Sequence, residues 1–158
     1  MITDADGRRR ELFLRDGLEA ADVVLAHREA LRVLRDDIET AHIDAYSDTA
    51  WPLEAVPAYE RLLSMARSEV VAGTRSKKDD PMGIDVDVRD DTQFEVLLAL
   101  APFTIHAEAW RQGREIFSAG DTGTALWIAV TAAQEARLLA RLGTVGVARS
   151  AFRTRPPR

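Results

Sequence analysis

GLEAADVVLAHREALRVLRDDIETAHIDAY, residues 17–46, carries the strongest fold signal in this sequence. Its apolar and small positions recur at alternating steps of four and three residues, which is the spacing of one face of a helix that packs along its length. Charged residues fill the other faces. The spacing therefore predicts one long helix over residues 17–46. Its packed face consists of Phe13, Gly17, Ala20, Val24, His27, Leu31, Leu34, Ile38, Ala41 and Ala45. Because Phe13 precedes Gly17, either a short helix comes before Asp16 or one long helix bends at Gly17.

Three further helical regions are predicted downstream. The second helix begins at Leu53 or at Pro57 and ends at Ala72, and Gly73 after it is suited to a left-handed C-terminal position. The third opens at a capping box in residues 92–95, and its apolar stripe passes through Pro102. Either one helix kinked at Pro102 or two helices meeting there fits that stripe. The last helix is alanine-rich and covers residues 121–142.

Residues 74–91 form the one long polar stretch, and we expect them to be an exposed loop. A short alternation of Ile84, Val86 and Val88 fits a strand, but no second strand is recognised to pair with it. The predicted fold class is all-α, an antiparallel bundle of four to six helices. Residues 1–142 are predicted to be a single domain, and residues 143–158 a basic C-terminal tail.

The composition excludes several classes of site. The 158 residues include no cysteine, so no thiolate nucleophile, cysteine-ligated zinc or iron–sulfur cluster is available. The net charge of −5 disfavours a general nucleic-acid-binding surface. No apolar run is long enough for a membrane span, and the predicted location is cytoplasmic. Contact with nucleic acid is expected only through the arginines of the tail, Arg149, Arg153, Arg155 and Arg158.

The run RDDIETAH places Arg35 and His42 at the two ends of eight residues. This spacing resembles the R-x4-6-H element of the HEPN superfamily of all-α ribonucleases. The resemblance implies that His42 moves the proton of a ribose 2′-hydroxyl and that Arg35 stabilises charge on the phosphate. Three carboxylates inside the same run would repel RNA. The alternative interpretation is a solvated ion pair between Arg35 and Glu39, one helical turn apart.

Glu39 and His42 also have the three-residue spacing of ligands in di-iron carboxylate bundles. A second pair of that kind is missing, because Glu108 is only two residues from His106 and the two would not share a helical face. His27 and His106 lie on apolar faces and are predicted core histidines. Together with nearby carboxylates they leave open a metal- or small-ligand-binding bundle. No cofactor is predicted.

The favoured function is a non-enzymatic helical subunit or adaptor of a bacterial or phage assembly. It would act through contacts with a protein partner or a second copy of itself. The regular apolar faces of the predicted helices and the absence of a complete catalytic set support this hypothesis. The sequence has 19 arginines and two lysines, which suggests a high-GC genome. Arg35 and His42 are the first residues to test for catalysis. The interface is expected on one of two faces, Val24, Leu31, Leu34 and Ile38, or Ala129, Ala133 and Ala136.

Overall fold

The computed structural model describes residues 8–79 and 81–154, and there the chain forms one seven-stranded sheet and four α-helices. The strands are β1 Arg10–Leu14, β2 Thr40–Ile43, β3 Ile84–Asp85, β4 His106–Arg111, β5 Arg114–Gly120, β6 Ala125–Val130 and β7 Phe152–Arg153. The helices are α1 Ala20–Leu34, α2 Val56–Val71, α3 Asp91–Leu100 and α4 Ala132–Thr144. The fold is mixed α/β, so the predicted all-α bundle is wrong.

The sheet is antiparallel throughout, in the order β3-β2-β4-β5-β6-β1-β7. One of its faces carries side chains that are at most 3% exposed: Leu12, Leu14, Ala41, Ile43, Ala107, Ala109, Phe117, Ala119, Leu126 and Ile128. The helices pack on this face. α1 contacts β5, β6, α3 and α4, and α2 contacts α3 and β3. The hydrophobic core therefore lies between the helices and one face of the sheet.

The long helix predicted over residues 17–46 is divided. α1 ends at Leu34, a 3-10 turn covers Arg35–Asp37, and β2 follows. Along β2 the side chains alternate between exposed or half-buried and fully buried, which is the period of a strand. A short run of this kind fits both a helix and a strand. Backbone pairing with β3 and β4 on the two sides of β2 selects the strand.

The third predicted helix is also divided. α3 begins after Asp90, whose carboxylate accepts the Gln93 backbone N–H at 3.1 Å, and it ends before Pro102. Residues 106–120 then form the β4–β5 hairpin instead of continuing the helix. Gln112 and Gly113 connect the strands with φ values of 49° and 74°. Two positive φ values in a two-residue connection are the requirement of a type I′ turn, whose twist matches that of the strands.

The last predicted helix keeps only its second half. Residues 125–130 form β6, and a capping box between Thr131 and Gln134 then opens α4. Asp121, at the predicted start of this helix, lies in a 3-10 turn at φ 50°. The second predicted helix, by contrast, is confirmed as α2, and Gly73 has the expected positive φ, 80°.

The predicted loop and tail both contribute strands. β3 lies inside the loop of residues 74–91 and pairs with β2. β7 lies inside the tail and pairs with β1, while Arg155 and Arg158 fall outside the described residues. Among the described helices, none combines the length and the apolar character that crossing a bilayer requires.

Candidate metal centre

The face of the sheet opposite the helices, which we call the open face, carries polar and aromatic side chains. Strand register places one row of them straight across the sheet, with one residue on each strand. The row consists of Asp85, His42, Glu108, Ser118, Trp127, Phe13 and Arg153. All of these residues are half-buried or exposed. The open face is therefore the part of the sheet on which a ligand can reach side chains without opening the core.

Three residues of the open face bring potential metal ligands together. His42 on β2 lies directly opposite Glu108 on β4, and its Nε2 atom is 3.5 Å from Glu108 Oε2. His106 precedes Glu108 by two residues, so both side chains point to the same face, and His106 Nε2 contacts Glu108 Oε1 directly. Ligand atoms of all three lie within 4.8 Å of one another. We call these residues the His42–His106–Glu108 triad.

The Glu108 carboxylate is held in place and kept ionised. Trp110 donates its indole N–H to Glu108 Oε2 at 3.0 Å. Burial by itself would raise the pKa of Glu108. The charge and hydrogen bond of His106, the Trp110 hydrogen bond and the charge of His42 outweigh burial, and the pKa is lowered. The triad therefore contains a carboxylate anion whose orientation is fixed by a neighbour on its own strand.

A second carboxylate lies beside the triad. Glu115 on β5 forms a side-chain hydrogen bond with Glu108 and is the register partner of Trp110. Burial raises the pKa of Glu115, and the negative charge of Glu108 raises it further. Two carboxyl groups at such a short distance favour the binding of a shared cation or a shared proton.

The triad has the chemistry of a transition-metal site. Imidazole nitrogen and carboxylate oxygen bind Zn²⁺ at about 2.0–2.1 Å, so two ligands of a tetrahedral ion lie about 3.4 Å apart. The 3.5 Å between His42 and Glu108 matches that separation. For a metal ion to bind, the closer contact between His106 Nε2 and Glu108 Oε1 would have to lengthen to this separation. Exposed fractions of 33% for the His42 side chain and 42% for that of His106 leave the site accessible from solvent.

Arg35 and His42 are not brought together. The Arg35 guanidinium donates to the Val88 carbonyl oxygen at 2.7 Å and to Asp91 at 2.6 Å, and it stacks on the Phe94 ring. His42 belongs to the triad on the sheet. The HEPN resemblance also implied an all-α fold, which the sheet contradicts.

Glu39 and His27 lie away from the triad. Glu39 immediately precedes β2, and its Oε1 atom accepts the Gln112 backbone N–H at 2.6 Å. Positions three residues apart in an extended segment face opposite ways, so Glu39 and His42 do not form the shared helical face that was predicted. His27 lies fully buried in α1, where its Nδ1–H donates to the Val23 carbonyl oxygen at 2.7 Å.

The two predicted interface faces have different positions in the fold. Leu31, Leu34 and Ile38 are at most 1% exposed because they pack inside the chain's own core, and Val24 is half-buried beside them. The alanine face is split between two elements. Ala129 is a buried residue of β6, whereas Ala133 and Ala136 are exposed on α4.

Trp110 and Glu115 were not recognised as site residues from the sequence, and Glu108 was not placed beside His42. One signal was present, since His106, Glu108 and Trp110 alternate with alanines at the period of a strand. The high helix propensity of alanine obscured that alternation.

No family model, curated protein or solved structure matches this chain. Its function is therefore inferred from its own residues.

Proposed function

We propose that this protein binds a divalent transition-metal ion, Zn²⁺ in the first place, through the His42–His106–Glu108 triad. The observation that supports the proposal is the convergence of two imidazoles and a carboxylate within 4.8 Å on two paired strands. Two histidines and one carboxylate are a ligand set of catalytic zinc sites and of non-haem iron sites. Three protein ligands leave a coordination position for water or an external ligand.

The surroundings of the triad also support a preorganised site. Sheet pairing fixes the relative positions of β2 and β4, so the ligands need little ordering when the metal binds. The Trp110 hydrogen bond orients the ligating carboxylate, as outer hydrogen bonds do in metalloproteins. Glu115 adds a second carboxyl group that offsets the charge of a dication.

Titration of the full chain with Zn²⁺ and Co²⁺ tests this proposal. We expect one ion bound per chain by isothermal titration calorimetry, and an absorption spectrum of the Co²⁺ form typical of nitrogen and oxygen ligands. His42→Ala, His106→Ala and Glu108→Gln should each lose this binding while keeping the circular dichroism spectrum. Glu39→Gln is the matched control and should bind as the wild type does. Absence of stoichiometric binding to the wild type would contradict the proposal.

A role in protein–protein contacts and a cytoplasmic location stay predictions. Metal binding is compatible with both, because a partner chain can supply the remaining ligand of a metal on an open sheet face. Light scattering coupled to size-exclusion chromatography, with and without Zn²⁺, checks whether the protein forms oligomers. Binding of nucleic acid through the tail arginines Arg149, Arg153, Arg155 and Arg158 also stays a prediction.

A further inference from the structure

A groove of about 900 Å³ lies on the open face next to the triad. It runs over residues of β1, β5 and β6, and Glu115 lies both in its wall and against Glu108. Four arginines line the groove, Arg8, Arg9, Arg111 and Arg114, together with two glutamates and Trp127. A concave site of this volume falls in the range of small-ligand pockets, and its lining is positively charged.

The arginines of the groove differ in what they already bind. Arg9 donates to Asp37 at 2.7 Å and to Gln134 at 2.9 Å, so its guanidinium is fixed by the protein. Arg8 and Arg114 are exposed, and the side chain of neither makes a hydrogen bond or an ion pair with any residue in the described part of the chain. Two guanidinium groups in the same groove are therefore available to an anion from outside.

Trp127 gives the groove a flat aromatic surface. Its indole N–H donates to Glu11 Oε1 at 3.2 Å, which fixes the ring, and the ring is half-buried in the groove wall. Since Trp127 lines the groove, a ligand in the groove can pack against the indole ring. Planar heterocycles stack on aromatic side chains with little dependence on which ring they contain.

We propose that this groove binds a phosphorylated ligand with a planar ring, of the class of a nucleoside monophosphate. Arg8 and Arg114 bind the phosphate group, whose oxygens accept from two guanidinium forks at once. The ring stacks on Trp127. This binding does not require the proposed metal, and it adds a second ligand to the open face.

The test is calorimetric titration of the full chain with AMP, inorganic phosphate and adenosine, in EDTA and again with Zn²⁺. AMP should bind more tightly than either of its two parts, and its affinity should fall as salt is added. The AMP affinity should be the same in EDTA and in Zn²⁺. Equal affinities for AMP and phosphate, no binding of AMP, or binding of AMP only with Zn²⁺ would each overturn the proposal.

Variants identify which residues bind. Arg8→Ala and Arg114→Ala should each raise the Kd for AMP about tenfold or more, the loss expected for a charge-assisted hydrogen bond. Arg67→Ala removes an exposed arginine of α2, on the helical side of the molecule, and should leave the Kd unchanged. Trp127→Leu should reduce the preference for AMP over phosphate. An equal loss in Arg67→Ala and Arg114→Ala would mean that only the net charge matters, which contradicts a site in the groove.

Discussion

His42 and Glu108 are direct register partners on the open face, with His42 Nε2 3.5 Å from Glu108 Oε2. Side chains alternate between the faces of a sheet, so a slip of one residue between β2 and β4 would turn His42 toward the helices. The buried Ala41 and Ile43 on either side of His42 prevent that slip, because they fill the core face of β2. The register that buries the core thus also sets the distance between the two proposed ligands.

Removing the hydrogen bond that orients Glu108 should weaken metal binding without abolishing it. Trp110→Phe keeps an aromatic ring but loses the N–H donor to Glu108. We expect the Kd for Zn²⁺ to rise by about 10–100-fold, the usual effect of losing such an outer hydrogen bond. Competition with a chelator dye measures this change. Trp51→Phe, at a tryptophan that packs on Tyr59, is the control and should keep the wild-type affinity.

The stability of the protein should fall in acid because of His27. Its burial lowers the pKa from 6.5 to about 4, and its Nε2 atom has no hydrogen-bond partner in the described residues. A histidine that stays neutral when folded takes up its proton more readily when unfolded, so stability is lost as the pH falls from about 6.5 toward 4. The full loss is about 3 kcal/mol, of which about 2 kcal/mol has occurred by pH 5.

Urea unfolding of the metal-free protein at pH 7 and pH 5 tests this prediction. His27→Leu removes the titrating group and should lose about 2 kcal/mol less than the wild type between the two pH values. The same pH dependence in the wild type and in His27→Leu would show that other groups cause the acid effect.

The ion pairs of Glu29 should stabilise the packing of α1 on α4. The carboxylate of Glu29 is 3% exposed and contacts Arg32 and Arg141, with its Oε1 atom 2.6 Å from Arg141 Nε. Both arginines reach solvent, which screens the pair, so we expect Glu29→Gln to cost about 1–3 kcal/mol. Thermal unfolding measures this cost. Glu135→Gln, which loses a looser pair with Arg10 at 3.6 Å, should cost less than about 1 kcal/mol.

Two glycines with positive φ should respond differently to alanine. Gly113 has φ 74° and open space around its Cα, so Gly113→Ala should cost about 1–2 kcal/mol of backbone strain. Gly123 has φ 95°, and a Cβ there would lie 2.5 Å from the Pro102 carbonyl oxygen. Gly123→Ala should therefore cost clearly more, about 3 kcal/mol or above. Equal unfolding midpoints for the two variants in urea would contradict this difference.

Part of the fold could be read from the sequence because its signals are local. α2 has an apolar stripe at helical spacing, an early proline and Gly73 at its end, and each of these acts within a few residues of chain. The same kind of signal predicted most of α1. Leu31 and Leu34 of the predicted packed face are buried as the spacing indicates. They were also a candidate interface, but they pack in the chain's own core.

Strands were missed where alanine fills the core face. Ala107, Ala109 and Ala119 are fully buried between the sheet and the helices, and in the sequence they indicate helix. The strand signal in β4 is the alternation of these alanines with His106, Glu108 and Trp110. Packing against the helix layer, which propensity does not describe, decides between the two structures.

The sequence by itself determined the helices whose caps and periodicity are complete within one segment, and it identified His42 and His106 as chemically notable. The tertiary structure alone decided that residues 40–43 and 106–111 pair as neighbouring strands. The two-residue spacing of His106 and Glu108, which rules out a shared helical face, is the spacing that places both on one face of a strand. Strand pairing joins residues distant along the chain through backbone hydrogen bonds, and no local pattern encodes which segments will meet.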